Sequence, residues 1–175
     1  SHRHYSIKEN EIPEIHPRLL SITLSRDEKD WPSVLPTHPF TEIFFVISGE
    51  GRFLFRQEIR TIQAGDLIII PPYLDHTEQS LPDRPLEYYV LGIDGVAFQK
   101  EGTASSAQIF CNFTDQHLIE ELFEQMYHEV KCSGYGSELI CRHFLEILVL
   151  RILRTSRELM TVPISTAKMP KECAR

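Results

Sequence analysis

The 175-residue chain is 42% hydrophobic, 10% aromatic and 25% charged, the balance of one globular domain or of a domain with a helical appendage. That composition excludes collagen-like, disordered and low-complexity classes. A net charge of −7 argues against a domain that grips nucleic acid by itself.

No apolar run approaches the roughly 20 residues of a membrane helix, and the amino terminus, Ser-His-Arg-His-Tyr, carries no signal-peptide core. The expectation is a soluble, cytoplasmic domain with no membrane partner. The missing initiator Met suggests a chain trimmed from a longer one. The charge is uneven: residues 151–175 hold six basic and two acidic residues, +4, which leaves −11 for the first 150. Cys111, Cys132, Cys141 and Cys173 form no CxxC and no zinc spacing, so they read as half-buried thiols and one tail thiol in a reducing compartment.

In chain order, β-branched and aromatic runs at 19–24, 42–47, 52–55, 59–62, 66–70 and 86–93 are separated by Gly- and Pro-bearing turns, the rhythm of an all-β domain. Ser48-Gly49-Glu50-Gly51 is the best hairpin signal. A chain of short hairpins must hide its edges, which a small barrel or jelly roll does. Arg52 and Arg56 alternate with Phe53 and Phe55 as a solvated strand face.

After Phe113 the period becomes helical. Leu118, Ile119, Leu122, Phe123, Met126, Tyr127 and Val130 form a stripe over 115–131, with Thr114 as the expected cap. Ser133-Gly134-Tyr135-Gly136 breaks that helix, and a second one runs over 137–158. Its apolar residues cover two faces, so it must pack against two things. The simplest second partner is another copy of itself, through Phe144, Leu145, Leu148 and Ile152; the alternative is a helix buried centrally in its own subunit. From residue 161 the text is polar and Pro-punctuated, a linker. The expected organisation is a barrel over 1–113, a helical dimerisation region over 114–160 and the start of a linker over 161–175.

One group of residues can carry chemistry. His38 and Glu42, four apart at the opening of a strand, point to one side of it. His76 follows the turn Pro71-Pro72. Two imidazoles and a carboxylate converging inside a barrel can hold a transition metal, hydrogen-bond a small polar ligand, or satisfy one another structurally.

His38-x3-Glu42-x6-Gly49 and Gly65-x5-Pro71-x4-His76 resemble the two motifs of the cupin superfamily, whose fold is a small β-barrel. Pro36 stands where the first motif has another His, Tyr73 where the second has a Gly, and Ser80 where an Asn often follows. With wider context, Glu-Ile-Phe-Phe-Val-Ile-Ser-Gly-Glu-Gly and Gln-Ala-Gly-Asp-Leu-Ile-Ile-Ile-Pro-Pro-Tyr-Leu-Asp-His, the chain is similar over about residues 15–160 to the sensor domain of AraC-type transcription regulators. The resemblance implies a cupin-like barrel followed by two helices, a small effector inside the barrel, often a sugar or other polar metabolite, a homodimer formed by the helices, and DNA contact only through a helix-turn-helix domain that would follow residue 175. It implies His38, Glu42 and His76 as ligand-binding residues, with Tyr89 as a stacking wall, and no catalysis, no cofactor and no metal. Trp31 reads as an anchor of the loop before the first motif. The competing expectation is a stand-alone metal-dependent cupin enzyme, an isomerase or oxygenase, built on the same three residues.

Overall fold

The computed structural model describes residues 1–26, 37–102, 106–111 and 115–165. Trp31, Pro36, Thr114, Cys173 and the basic residues after 165 lie outside the described residues. Within them the elements run β1 (Arg18–Arg26), β2 (Thr41–Ser48), β3 (Glu50–Phe55), β4 (Glu58–Gln63), β5 (Leu67–Ile70), β6 (His76–Ser80), β7 (Glu87–Asp94), β8 (Ala97–Lys100), β9 (Gln108–Phe110), α1 (Gln116–Cys132), α2 (Ser137–Thr155) and β10 (Leu159–Val162). A five-stranded antiparallel sheet, β1-β7-β2-β5-β9, faces a three-stranded one, β4-β3-β6, in the cupin-like arrangement expected. The turn from β2 to β3 requires Gly49: its φ is +85°, and a Cβ there would stand 2.0 Å from the Pro85 carbonyl oxygen. Arg56 and Gln57, both at positive φ, close the β3–β4 hairpin in two residues.

The five-stranded sheet is buried on both sides, and the period of two sorts its side chains. Phe44 and Val46 of β2, Ile68 and Ile70 of β5 and Tyr88 of β7 point into the barrel, against Phe53, Phe55 and Ile62 of the smaller sheet. Ile43, Phe45, Leu67, Ile69, Tyr89, Leu91 and Ile93 point the other way, onto the helices. There α1 contributes Ile119, Leu122, Phe123 and Met126, and α2 contributes Cys141, Leu145, Leu148, Val149 and Ile152. Phe123 stacks on both Phe45 and Tyr89, at 5.5 and 5.9 Å. Each such side chain stabilises the fold by about 1.5–3 kcal/mol through burial.

This packing corrects the expected dimer contact. Leu145, Leu148 and Ile152 are 0% exposed within their own chain, and Phe144 is half-buried beside them. The sheet's second apolar face needs a cover, and α2 spends its strongest face on that. The opposite face of α2 is still apolar, with Leu139, Ile140 and Ile147 at 49%, 37% and 42% exposure. Two further details differ from expectation. The chain leaving α2 turns back as β10 and pairs with β8, Leu159 opposite Lys100 and Val162 opposite Ala97, so residues 161–162 are strand rather than linker. Cys111 and Cys132 are exposed rather than half-buried, and Cys141 is buried; all three are free.

Candidate functional site

Glu42 is the one carboxylate that β2 turns into the barrel, and it is 8% exposed. Its register partners are Ile70 on β5 and Gly92 on β7. Gly92 leaves the room in which Phe40 lies: a Cβ there would stand 3.0 Å from the Phe40 ring and 2.8 Å from Ser21 Oγ. His38 stacks on that Phe40 ring, centroids 4.9 Å apart, and its carbonyl accepts the Tyr73 backbone N–H at 2.6 Å. A glycine on the neighbouring strand thus helps aim a histidine in the loop before β2. Tyr73, where the cupin pattern has glycine, adopts φ +65° to make that contact.

His76 opens β6 opposite Phe55 and is 2% exposed. Its ring lies 5.8 Å from Phe53, nearly parallel, and 5.9 Å from Phe44, edge-on. Nδ1 donates to the Leu74 carbonyl at 2.8 Å, and Nε2 faces Glu42 Oε1 at 3.0 Å. Burial opposes protonation of this ring, but the Glu42 carboxylate, the Leu74 carbonyl and the field of Glu78 outweigh it and raise the His76 pKa above its ordinary value. A neutral ring bonded to Leu74 through Nδ1 would aim a lone pair at the carboxylate, so the geometry favours the imidazolium. His38 Nε2 approaches the same Glu42 oxygen at 3.7 Å. That oxygen is shielded from solvent, and the His76 ring, 3.0 Å away, is the group held closest against it.

These three residues meet at a cavity of about 270 Å³ lined also by Thr23, Ser25, Phe44, Glu78, Tyr88 and Val90. Phe44 and Tyr88 stack at 5.5 Å, and the Tyr88 hydroxyl donates to Glu78. Tyr89, expected as the stacking wall, points through the sheet to the helices, against Phe123 and Tyr127. Strand parity decides this: the barrel-facing aromatic of β7 is Tyr88, one residue earlier. Glu78, Thr23 and Ser25 escaped the sequence reading. The alternation of Thr23 and Ser25 with Ile22 and Leu24 in β1 was an available signal. β6, reading His-Thr-Glu-Gln-Ser, offered none.

The donors fit a metal poorly. His76 Nδ1 is taken by a carbonyl and its Nε2 by the ion pair, and among the described residues no three His, Cys, Asp or Glu side chains are disposed to hold an ion. Among the described residues no helix is long and apolar enough to cross a membrane.

The chain is similar in fold to ToxT from Vibrio cholerae strain SCE256. The apo K231A form matches with TM-score 0.56 at 12% identity, over 78% of this chain and 56% of that one. The wild type bound to an unsaturated fatty acid matches with TM-score 0.52 at 14% identity, over 82% and 56%. The chain therefore spans just over half the length of these proteins. No curated protein matches it in sequence. The family model for the AraC-like ligand binding domain matches residues 22–153, most of both sheets and nearly all of the two helices, and the chain belongs to that family.

Proposed function

We propose that this chain is the effector-sensing and dimerisation domain of an AraC-type transcription regulator, which takes a small polar metabolite such as a sugar into the barrel and controls a helix-turn-helix DNA-binding domain elsewhere in the protein. The observation that carries the reading is the convergence of His38, Glu42 and His76 on one cavity inside a domain of this family. The ToxT structure holds a fatty acid. Here the described lining has Glu42 and Glu78 and neither Lys nor Arg, which favours a polar effector over an acid. The volume suits a small molecule rather than a drug-sized one. The role is sensing, not catalysis, in the cytoplasm.

The exposed face of α2 supports a dimer. Ile140 and Ile147 lie seven residues apart on one stripe with Leu139 beside them, and a second copy placing the same stripe there would bury both. Thr41, next to Glu42, donates to the Val96 carbonyl at 2.7 Å in the interior, and the strand that follows Val96 pairs with β10. Effector binding beside β2 therefore has a short covalent and hydrogen-bonded path to β10. Ten- to hundred-fold regulation requires a differential affinity of about 1.4–2.8 kcal/mol between two states.

The test is a thermal-shift and calorimetric screen of sugars, polyols and amines against the wild type and the double variant His38→Ala, Glu42→Ala. A compound that stabilises the wild type and leaves the folded double variant unmoved supports the reading. Equal response of both proteins refutes the cavity as the effector site.

A further inference from the structure

We propose that two copies of this chain exchange the segments that precede β1, with Tyr5 and Ile7 of one copy seated in a groove between β1 and the helix pair of the other. This deepens the dimerisation reading and rests on it. The groove, a cavity of about 270 Å³ that shares no lining residue with the effector cavity, lies between Leu19 and Leu20 of β1, Val130 near the end of α1 and the buried Cys141 of α2. It exists because the helices reach past the sheet. β1 is an end strand, paired with β7 on one edge and with no described strand on the other. Val130 continues the core stripe of Phe123 and Met126, which are 0% exposed, yet it is 45% exposed itself. The β1–β7 register shifts between Leu19 and Ser21, a bulge that leaves Leu20 37% exposed at the same edge.

The occupant follows from what the same chain leaves bare. Residues 1–17 form neither helix nor strand, and Tyr5, Ile7 and Ile12 are 82%, 98% and 66% exposed. The segment is tied down at its end, where Ile15 packs partly on the core, Pro17 is buried and the His16 carbonyl lies against Gly95. In extended backbone Tyr5 and Ile7 project to one side, so both can enter one groove. The Tyr5 ring meets Leu20 and Val130 there, and its hydroxyl donates to Ser137 Oγ, whose own hydrogen is held by Glu129. Lys8 and Glu9, next in sequence, bring both signs of charge to a rim that carries Glu138 and Arg142. Neither of those two has a partner among the described residues. Twelve residues separate Tyr5 from Pro17, a reach of about 40 Å when extended, roughly four times the distance between two packed helix axes. In one chain alone the groove stays open and the segment bare; in a symmetric pair each copy closes the groove of the other.

The experiment is sedimentation equilibrium on the full chain, on the double variant Tyr5→Ser, Ile7→Ser, which blunts the segment, and on Val130→Arg, which blocks the groove. Thermal unfolding shows that each variant is folded, and Leu20→Arg takes the place of Val130→Arg if that one is not. The expected result is a dimer Kd raised at least about tenfold in each variant. An equimolar mixture of the two keeps one intact segment and one intact groove, so its heterodimer should be at least about threefold tighter than the dimer of either parent, the share of one contact in two. Melting temperatures that fall in both variants, with dimerisation unchanged and no gain on mixing, place the segment in its own groove and overturn the exchange. A wild-type dimer that none of these changes weakens, but that Ile147→Asp dissolves, keeps the dimer reading and overturns the exchange alone. A wild type that is monomeric at about 1 mM removes both.

Discussion

Changing Glu42 to Gln keeps the size of the side chain and removes the charge that faces His76. At 3.0 Å and an effective dielectric near 20, the gross attraction is about 5 kcal/mol, most of which offsets the desolvation of two groups that are nearly sealed from water. His76 can also escape by losing its proton, so the net cost of the variant is expected to be about 1–3 kcal/mol at pH 6. The sign with pH follows from linkage. His76 has a folded pKa above its unfolded value of 6.5, so the pair's contribution is fully present below about pH 6.5 and fades as the pH rises through the raised folded value. Urea unfolding of wild type and variant at pH 6 and pH 9, with the slope checked to be unchanged, measures the difference at each end. The destabilisation should be largest at pH 6 and shrink at pH 9. A difference that is equal at both, or larger at pH 9, refutes the assignment of His76 as the cationic partner of Glu42.

Asp at position 147 should convert a dimer to a monomer with little loss of melting temperature, as sedimentation and thermal unfolding will show, whereas Leu148→Asp puts a charge into the sealed core and should leave little folded protein. A folded Ile147→Asp variant that still sediments as a dimer moves the interface off α2. Gly92→Ala presses on Phe40 and Ser21 and should cost about 1–3 kcal/mol in denaturation while weakening effector binding through the displaced His38 stack. Tyr88→Phe frees the Glu78 carboxylate from its hydroxyl partner and should change effector affinity about three- to tenfold; Tyr89→Phe, on the helix side of the sheet, should leave the affinity as it is.

The parts of this fold legible in the sequence are those whose side chains face a core. The predicted run 42–47 became β2, and 86–93 became β7, because strands buried on both sides read as continuous apolar text. The helices were legible from their stripes, and no bound moved by more than three residues. β6 was invisible: its five residues are all polar although three of them are buried, and polar text has no apolar period to see. β10 was hidden for another reason, since Leu-Met-Thr-Val beside a proline is as good a linker as a strand until β8 is known to lie next to it. The site showed the same split. His38, Glu42 and His76, grouped in the sequence by spacing local to strands and turns, do line one cavity, whereas choosing Tyr88 over Tyr89 required the parity of β7, which only the register against β2 supplies. Leu145, Leu148 and Ile152, expected at a dimer contact, lie in the core instead, because the sequence reports that α2 has two apolar faces but not which of them the sheet would claim.

That two-faced sheet also joins the cavity to the helices directly. In β2 the even positions 42, 44 and 46 meet the barrel interior, and the odd positions 43 and 45 meet the helices. A ligand that orders Glu42 therefore acts on a strand whose other side carries the helical pair, with no intervening layer to absorb the shift. Interiors this well packed respond by stepping between arrangements rather than by deforming smoothly. The energy required is modest: a differential of about 1.4–2.8 kcal/mol equals one or two buried hydrogen bonds gained in one state and not in the other. The bond from Thr41 to Val96, adjacent in sequence to Glu42 at one end and to the strand that holds β10 at the other, is of that size and in that place.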